Sequence, residues 1–307
     1  RNIAIGYQAL PSNTTSHGHI AIGYRTLYNA VEASSYQIAI GDGALYNHSG
    51  SADDYAVALG FEAGYNSQTD IGAVMIGYRA GYRSSGYSGI YIGSSAGLKS
   101  TNSGIYIGRD AGSGAENYSG GNIAIGYLSG TVFMSTSDNN VFVGQQAGRY
   151  ATGSQNTFIG EQAGVGGTTS APYSSGADNT AVGYQALTAF TTGGTNVAVG
   201  KSALYALTTG TKNTAVGYNA GAAITTGIGT TFIGYNAGYQ SDAGYSVIIG
   251  DRAFDASTDS TSSSNVIIGA NAGGAVNSAY SSDNIFIGYD AGLGGSGRIH
   301  SSIAIGR

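Results

Sequence analysis

The sequence predicts an all-β protein, a parallel β-solenoid (β-roll) of about eighteen short coils. An aliphatic residue followed by Gly recurs eighteen times, at intervals of 15 to 23 residues. A short β-branched segment precedes each of these glycines, and Ala follows three residues later in most copies. Such repetition is typical of architectures in which stacked units bury an apolar face that no single unit can bury alone.

Each repeat begins with a predicted strand. Segments such as Ile3–Ile5 and Val247–Ile249 are apolar at every position and rich in β-branched residues. Short runs of this kind are typical of parallel sheets, whose strands are covered on both faces. The short length and the Gly content exclude a helix. We therefore expect a short strand that is buried on both sides.

The glycine that closes each strand predicts a corner. Gly permits backbone conformations that are closed to other residues, and the following Ala fits where the next coil leaves room only for a methyl group. A second short strand is predicted at Phe190, Leu207 and Ile224, ahead of a repeated Thr-Thr-Gly. The glycines assigned to this structural role include Gly6, Gly23, Gly183, Gly200, Gly217 and Gly234.

Asn stands directly before the strand in nine copies, among them Asn179, Asn196 and Asn213. Two compatible interpretations apply. Stacked at the sheet spacing, the amides can form hydrogen bonds from coil to coil as a ladder. Alternatively, Asn occupies this position because it tolerates the backbone conformations of a turn.

Composition excludes several classes of protein. The 307 residues include 53 Gly and no Cys, with 41% hydrophobic residues, 9% charged residues and a net charge of −5. Disordered chains are more charged and less hydrophobic. The absence of Cys excludes disulfides and thiolate sites, and the mild acidity disfavours nucleic acid. No apolar run is long enough to span a membrane. We expect one continuous domain over 1–307, with no cofactor.

The ends of the chain, like its middle, are ordinary repeats. Asn2–Gly6 and Ile303–Gly306 lack the polar capping units that a free-standing solenoid needs. We expect either that the chain continues beyond both ends or that copies stack end to end. Because a coil of about seventeen residues encloses little core, we expect a homotrimer whose axis is lined by an apolar face, or a head-to-tail homopolymer.

Motifs that resemble chemical sites belong to the repeat. The stretch 93–97 matches the GxSxG pattern of serine hydrolases, but 234–238 reads Gly-Tyr-Asn-Ala-Gly at the same positions. Acidic residues such as Asp42 lack the nonapeptide of calcium-binding rolls. The four histidines have no metal-ligand spacing, and we expect them to be exposed to solvent. We predict no catalytic residue, no metal site and no enzyme. These histidines are His17, His19, His48 and His300.

Tyr is unusually frequent, with 24 residues. Where Tyr follows the strand glycine, as at Tyr218, we expect the rings of neighbouring coils to stack. Loop tyrosines are candidates for binding glycans through their ring faces and hydroxyl groups, since loops often carry the specificity of repeat proteins. The candidate binding residues are Tyr36, Tyr118, Tyr173 and Tyr280.

The phrase at 213–221, NTAVGYNAG, followed by Thr-Thr-Gly at 225–227, resembles the repeats of bacteriophage tail-fibre proteins. It is also similar to the head repeats of trimeric autotransporter adhesins, and the resemblance covers essentially the whole chain. Those heads are left-handed parallel β-rolls wound as trimers. The resemblance implies a non-enzymatic fibre, extracellular or carried on a virion, that recognises a cell-surface polysaccharide or receptor. The rival prediction is a self-assembling extracellular filament or sheath subunit with a purely structural role.

Overall fold

The fold consists of short strands joined by turns in two compact units, residues 1–152 and 153–307. Each unit is described by itself. The structure is a computed structural model, and it describes residues 1–13, 15–29, 36–48, 55–68, 72–85, 88–101, 103–114, 120–132, 137–168, 173–242, 244–255, 263–274, 282–293 and 301–306.

Every coil contributes one three-residue strand, and the described residues contain no helix. Unit 1 contains β1 (Ile3–Ile5), β2 (Ile20–Ile22), β3 (Ile38–Ile40), β4 (Val57–Leu59), β5 (Val74–Ile76), β6 (Ile90–Ile92), β7 (Ile105–Ile107), β8 (Ile123–Ile125) and β9 (Val141–Val143). Unit 2 contains β10 (Thr157–Ile159), β11 (Thr180–Val182), β12 (Val197–Val199), β13 (Thr214–Val216), β14 (Thr231–Ile233), β15 (Val247–Ile249), β16 (Val266–Ile268), β17 (Ile285–Ile287) and β18 (Ile303–Ile305).

Within each unit, successive strands pair in parallel and residue for residue. Ala198 of β12 lies beside Ala215 of β13, and the same in-register pairing repeats at the other steps. The Gly217 N–H donates a hydrogen bond to the Val199 carbonyl at 2.8 Å, and such rungs link coil to coil. The predicted all-β parallel solenoid is therefore confirmed.

The predicted second strand is absent at Phe190, Leu207 and Ile224, although all three side chains are buried. The chain bends directly after each of them, at the Thr-Thr-Gly turn. A backbone rung persists there, because the Thr191 N–H donates to the Thr208 carbonyl at 2.8 Å. One rung at a bend is too short a run of pairing to form a strand.

In β2 to β17 only the face of the central residue is buried, which corrects the expectation of burial on both sides, and the terminal strands β1 and β18 have no buried residue. The central residue points into the coil, and in β13 the side chain of Ala215 is fully buried. The first and last residues point outward, so Val216 is 38% exposed and Ile233 is 39% exposed. Each unit therefore carries an outer sheet face of half-exposed Ile, Val and Thr side chains. We call it the outer strand face.

The strand-closing glycines of neighbouring coils lie in direct contact. Gly183 has a φ of 135°, which disfavours any residue with a side chain. A Cβ at Gly183 would lie 2.6 Å from the carbonyl oxygen of Gly200 in the next coil. Gly6, Gly23, Gly200, Gly217 and Gly234 make the same close approach to the coil that follows. The predicted corner glycines are thus required both by their conformation and by lack of space.

Side-chain sizes inside a coil compensate for one another. The coil of β15 holds two large buried residues, Ile248 and Phe254. Where the strand centre is Met, Tyr or Phe, the residue four positions after the strand glycine is Gly, because a Cβ there would press on the ring or thioether, as for Gly112 against Tyr106 at 2.6 Å. These pairs are Met75–Gly81, Tyr91–Gly97, Tyr106–Gly112, Phe142–Gly148, Phe158–Gly164, Phe232–Gly238 and Phe286–Gly292. Where the strand centre is Ala, a buried Leu fills the space in several coils, as in Ala198–Leu204 and Ala181–Leu187.

The asparagines before the strands form a buried amide ladder. Asn196 Nδ2 donates to Asn179 Oδ1 at 3.1 Å, and Asn213 Nδ2 donates to Asn196 Oδ1 at 3.2 Å. The Asn196 Nδ2 also donates to the Gly210 carbonyl at 2.9 Å, and the Asn213 backbone N–H donates to Asn196 Oδ1 at 3.0 Å. Each amide therefore joins its own coil to both neighbours.

The histidines depart from the expectation of solvent exposure. His19 and His48 are buried, whereas His17 is exposed and His300 lies outside the described residues. His19 precedes β2 at the position that Asn holds in other coils, and His48 Nδ1 lies 2.7 Å from Ser67 Oγ. Position in the repeat, rather than residue type, decides their burial.

We predict that the strand centre and the residue beside it exchange as a pair. Phe232→Ala should destabilise the fold by about 3–5 kcal/mol through the cavity it leaves. Gly238→Leu should also destabilise, because its side chain would meet the Phe232 ring. The double variant recreates the native Ala198–Leu204 coil, so urea denaturation should show it to be more stable than either single variant. If the losses of unfolding free energy of the two single variants simply added in the double variant, the two side chains would not compensate for each other in size.

We also predict that the amide ladder stabilises the fold. Asn196→Ala removes an acceptor from the buried Asn213 amide, and should cost about 1–3 kcal/mol. Asn29→Ala is the matched control, since Asn29 Nδ2 donates to Asn47 Oδ1 at 2.7 Å in an exposed amide pair. Equal losses in urea denaturation of the two variants would show that burial of the ladder has no importance.

Candidate binding surface

Aromatic rings form two columns on the surface of unit 1. The first ring column consists of the rings directly after the strand glycine, with centroids 5.7 Å apart for Tyr7–Tyr24 and 5.6 Å apart for Phe61–Tyr78. The second ring column lies four residues further along each coil. It runs without interruption through Tyr28, Tyr46, Tyr65 and Tyr82, with centroids 4.7 to 5.3 Å apart. The expected stacking of turn tyrosines is therefore observed.

Arginines bridge the two columns. The Arg25 guanidinium lies 5.1 Å from the Tyr24 centroid and 5.5 Å from that of Tyr28, and Arg79 lies in the same way between Tyr78 and Tyr82. Cation–π contacts of this length are favourable. Both arginines reach back to the preceding coil, because Arg25 Nε donates to Gln8 Oε1 at 2.9 Å and Arg79 Nε pairs with Glu62 Oε2 at 2.6 Å.

The surroundings of Arg79 and Tyr65 shift the pKa values of both side chains. The hydrogen bond to Glu62 raises the pKa of the Arg79 guanidinium, which therefore remains a cation. Burial, followed by the neighbouring Tyr46, raises the pKa of the Tyr65 phenol. The Tyr65 hydroxyl therefore keeps its proton at physiological pH and can both donate and accept hydrogen bonds.

The first ring column is interrupted at the coil of β3, where Asp42 takes the place of a ring and Gly43 that of a long side chain. A cavity of about 200 Å³ opens there. Tyr24 and Phe61 flank it, and Tyr46 and Tyr65 line its inner side. We call this cavity the Asp42 slot. Sequence analysis weighed Asp42 only as a calcium ligand, and the missing ring between two aromatic neighbours was the signal that could have found the slot.

Unit 2 carries shorter aromatic runs. The Tyr218 and Tyr235 rings stack at 5.2 Å, and the Lys201 ammonium lies 5.6 Å from the Tyr184 centroid and 5.5 Å from that of Tyr218. A shallower groove of about 270 Å³ lies beside them, between Tyr205 and Tyr239. Lys201 thus fills a gap in the ring column of its own unit.

The candidate loop tyrosines do not form one site. Tyr36 is 52% exposed, stacks on Tyr55 at 6.0 Å, and lies with its hydroxyl 3.2 Å from His17 Nε2. Tyr173 is half-buried and lies in unit 2. Tyr118 and Tyr280 lie outside the described residues. In the described part of unit 1, the surface cluster consists of Tyr36, Tyr55 and His17.

The residues that resemble chemical sites keep their structural positions. Ser95, of the GxSxG match, lies in the common turn with a φ of 56°, and turns rather than a helix follow it. Within the described ranges, no group of three or more His, Asp or Glu side chains comes together as a metal site would require. Nor is any helix of those ranges long and apolar enough to cross a membrane.

Comparison of the chain with protein-family models, with curated protein sequences and with solved structures gives no match in any of the three. The likeness to tail-fibre and adhesin repeats therefore stays a prediction. The structure itself shows the parallel β-solenoid and its ring columns.

We predict that ring stacking, rather than the hydroxyl groups, stabilises the second ring column. Tyr46 stacks on both Tyr28 and Tyr65, so Tyr46→Ala should lower the free energy of unfolding by about 1–3 kcal/mol. Tyr46→Phe keeps the ring and should change it by less than about 0.5 kcal/mol. Urea denaturation measures both variants. A Phe variant as unstable as the Ala variant would contradict this account.

Proposed function

We propose that the chain is a non-enzymatic fibre segment, extracellular or carried on a virion as in a phage tail fibre or adhesin, that attaches to cell surfaces. The observation that carries the proposal is the unchanging coil register. Strand pairing, glycine contacts and buried amides all repeat from coil to coil, and the chain between coils varies in length. Such a stack is a stiff support for groups that contact a polymer.

The ring columns support attachment to glycans. Exposed, closely spaced rings offer apolar faces and hydroxyl groups together, which is the combination that a sugar needs. In this proposal the ligand is a cell-surface polysaccharide or a receptor protein. Nucleic acid, inserted membrane and cofactors have no part in it, since the net charge is −5 and the proposed role is mechanical.

The outer strand face supports a homotrimer. Val197, Val216 and Ile233 are each between 37% and 39% exposed, and they lie on consecutive strands. A largely apolar face that repeats from coil to coil is a surface that a second copy can cover, since similar side chains recur at every step. Three copies around one axis would bury the face of each.

A purely structural filament or sheath subunit is the second candidate. Coils between Gly183 and Gly234 are each 17 residues long, so this segment carries no long loop for display. Regular coils of this kind favour a building role over a recognition role.

Sedimentation of the purified chain tests the fibre proposal, and a sharp trimer is the expected result. Val216→Glu places a charge on the outer strand face and should shift the equilibrium towards monomer. Val216→Thr is the control, because Thr214 and Thr231 occupy the same face. A folded wild-type monomer at micromolar concentration would overturn the trimer, and polymers of indefinite length would support the filament.

A further inference from the structure

The aromatic rings of Tyr24 and Phe61 lie on opposite sides of the Asp42 slot. Tyr24 is stacked on Tyr7 with the ring planes 10° apart, and Phe61 is stacked on Tyr78 with the planes 7° apart. One face of each inner ring is therefore covered, and the other face borders the coil of Asp42. Since neighbouring coils are about 4.8 Å apart, the planes of these two rings, which lie two coils apart, are separated by about 10 Å.

Gly43 provides the depth of the slot. At the same position of the turn, neighbouring coils carry Arg25 and Glu62. A Cβ at Gly43 would lie 3.2 Å from Tyr65 Cδ2 and 3.5 Å from Glu62 Cγ, so a longer side chain would enter the cavity. The volume of about 200 Å³ lies below the roughly 300–1,000 Å³ of sites for drug-sized ligands. The slot therefore suits a single ring.

Polar groups of both kinds line the slot. Asp42 Oδ1 accepts a hydrogen bond from the Tyr24 N–H at 3.1 Å, which holds the carboxylate against the backbone of the preceding coil. Arg25 and Glu62 lie at the sides, and each is held by its contact with a neighbouring coil, to Gln8 and Arg79 respectively. A ligand would thus meet hydrogen-bond donors and acceptors in fixed positions.

Unit 2 has a corresponding gap in its ring column, between Tyr184 and Tyr218. Lys201 occupies the position of a ring there, and its ammonium group is about equally distant from Tyr184 and Tyr218, at 5.6 and 5.5 Å. The protein thus closes that gap with its own side chain. Asp42 is shorter than Lys and carries the opposite charge, so it does not cover the faces of Tyr24 and Phe61.

We propose that the Asp42 slot binds one neutral pyranose ring of a glycan. The C–H groups of a pyranose carry partial positive charge and suit the negative faces of the two rings, while its hydroxyl groups can donate to Asp42 and accept from Arg25. An anionic ligand would be repelled by Asp42 and Glu62, and a cationic ligand is the alternative that the experiment below separates from a neutral sugar. This inference rests on the proposed attachment to cell-surface glycans and identifies one subsite for it.

Titration of the whole chain, followed by NMR of the aromatic side chains, tests the assignment. The probes are the methyl glycosides of glucose, galactose, mannose and N-acetylglucosamine, with tetramethylammonium as a cationic probe. At least one glycoside should bind with a millimolar dissociation constant and shift the resonances of Tyr24 and Phe61. Asp42→Lys, which copies the arrangement at Lys201, should weaken binding at least tenfold.

Two further variants distinguish a local loss of binding at the slot from a general effect of the substitution on folding. Asp251→Lys makes the same substitution at the same repeat position of unit 2, and should leave glycoside binding unchanged. Phe61→Ala removes one wall of the slot and should weaken binding without adding charge. Circular dichroism confirms that each variant is folded.

Binding of no glycoside in the millimolar range would overturn the inference. So would binding of tetramethylammonium alone, which would make the slot a cation site, or glycoside binding that survives both Asp42→Lys and Phe61→Ala. These failures are distinct from failure of the fibre proposal. If the protein is a trimer that attaches to cells but binds none of the glycosides, only the proposal for the slot is refuted. If it is a monomer that binds them, only the trimer is refuted.

Discussion

The contact between successive strand-closing glycines is the constraint on which the other features depend. At Gly183 the backbone of the next coil occupies the space where a side chain would begin. Any residue with a Cβ would push the two coils apart at this corner and lengthen the rungs on either side. Because hydrogen bonds weaken steeply with distance and angle, the glycine contact and the strand ladder require each other.

A fixed coil spacing has consequences for the interior. Coils cannot expand to accept a large side chain, so the volume must be balanced within the coil or between neighbours. Phe232 faces Gly238, whereas Ala198 faces Leu204, and both arrangements fill the same space. Such interiors follow the general rule that protein cores are packed to crystal-like density. The amide ladder adds buried polar contacts between coils, since each Asn side chain forms hydrogen bonds to its neighbours in the stack.

Much of this architecture could be predicted from the sequence, because the physical causes are local to the repeat. The recurring glycine and the apolar run before it identify strand, corner and parallel stacking. Burial of both strand faces was wrong, since residues such as Val216 point out of the coil and stay 38% exposed. The second strand was also wrong at Leu207, where burial is real but the turn that follows interrupts the pairing. At Leu207 the repeat pattern therefore identified a buried side chain but not the end of the backbone pairing.

The binding surface was harder to predict, because it is defined by what one coil lacks relative to its neighbours. Asp42 and Gly43 are unremarkable in a linear reading, and only stacking places them between Tyr24 and Phe61. Single amino-acid substitutions can change the surface of the first ring column. One substitution in a turn opens or fills a recess while the coils beneath keep their register, so a chain of this design can change the shape and charge of its surface without a change of fold.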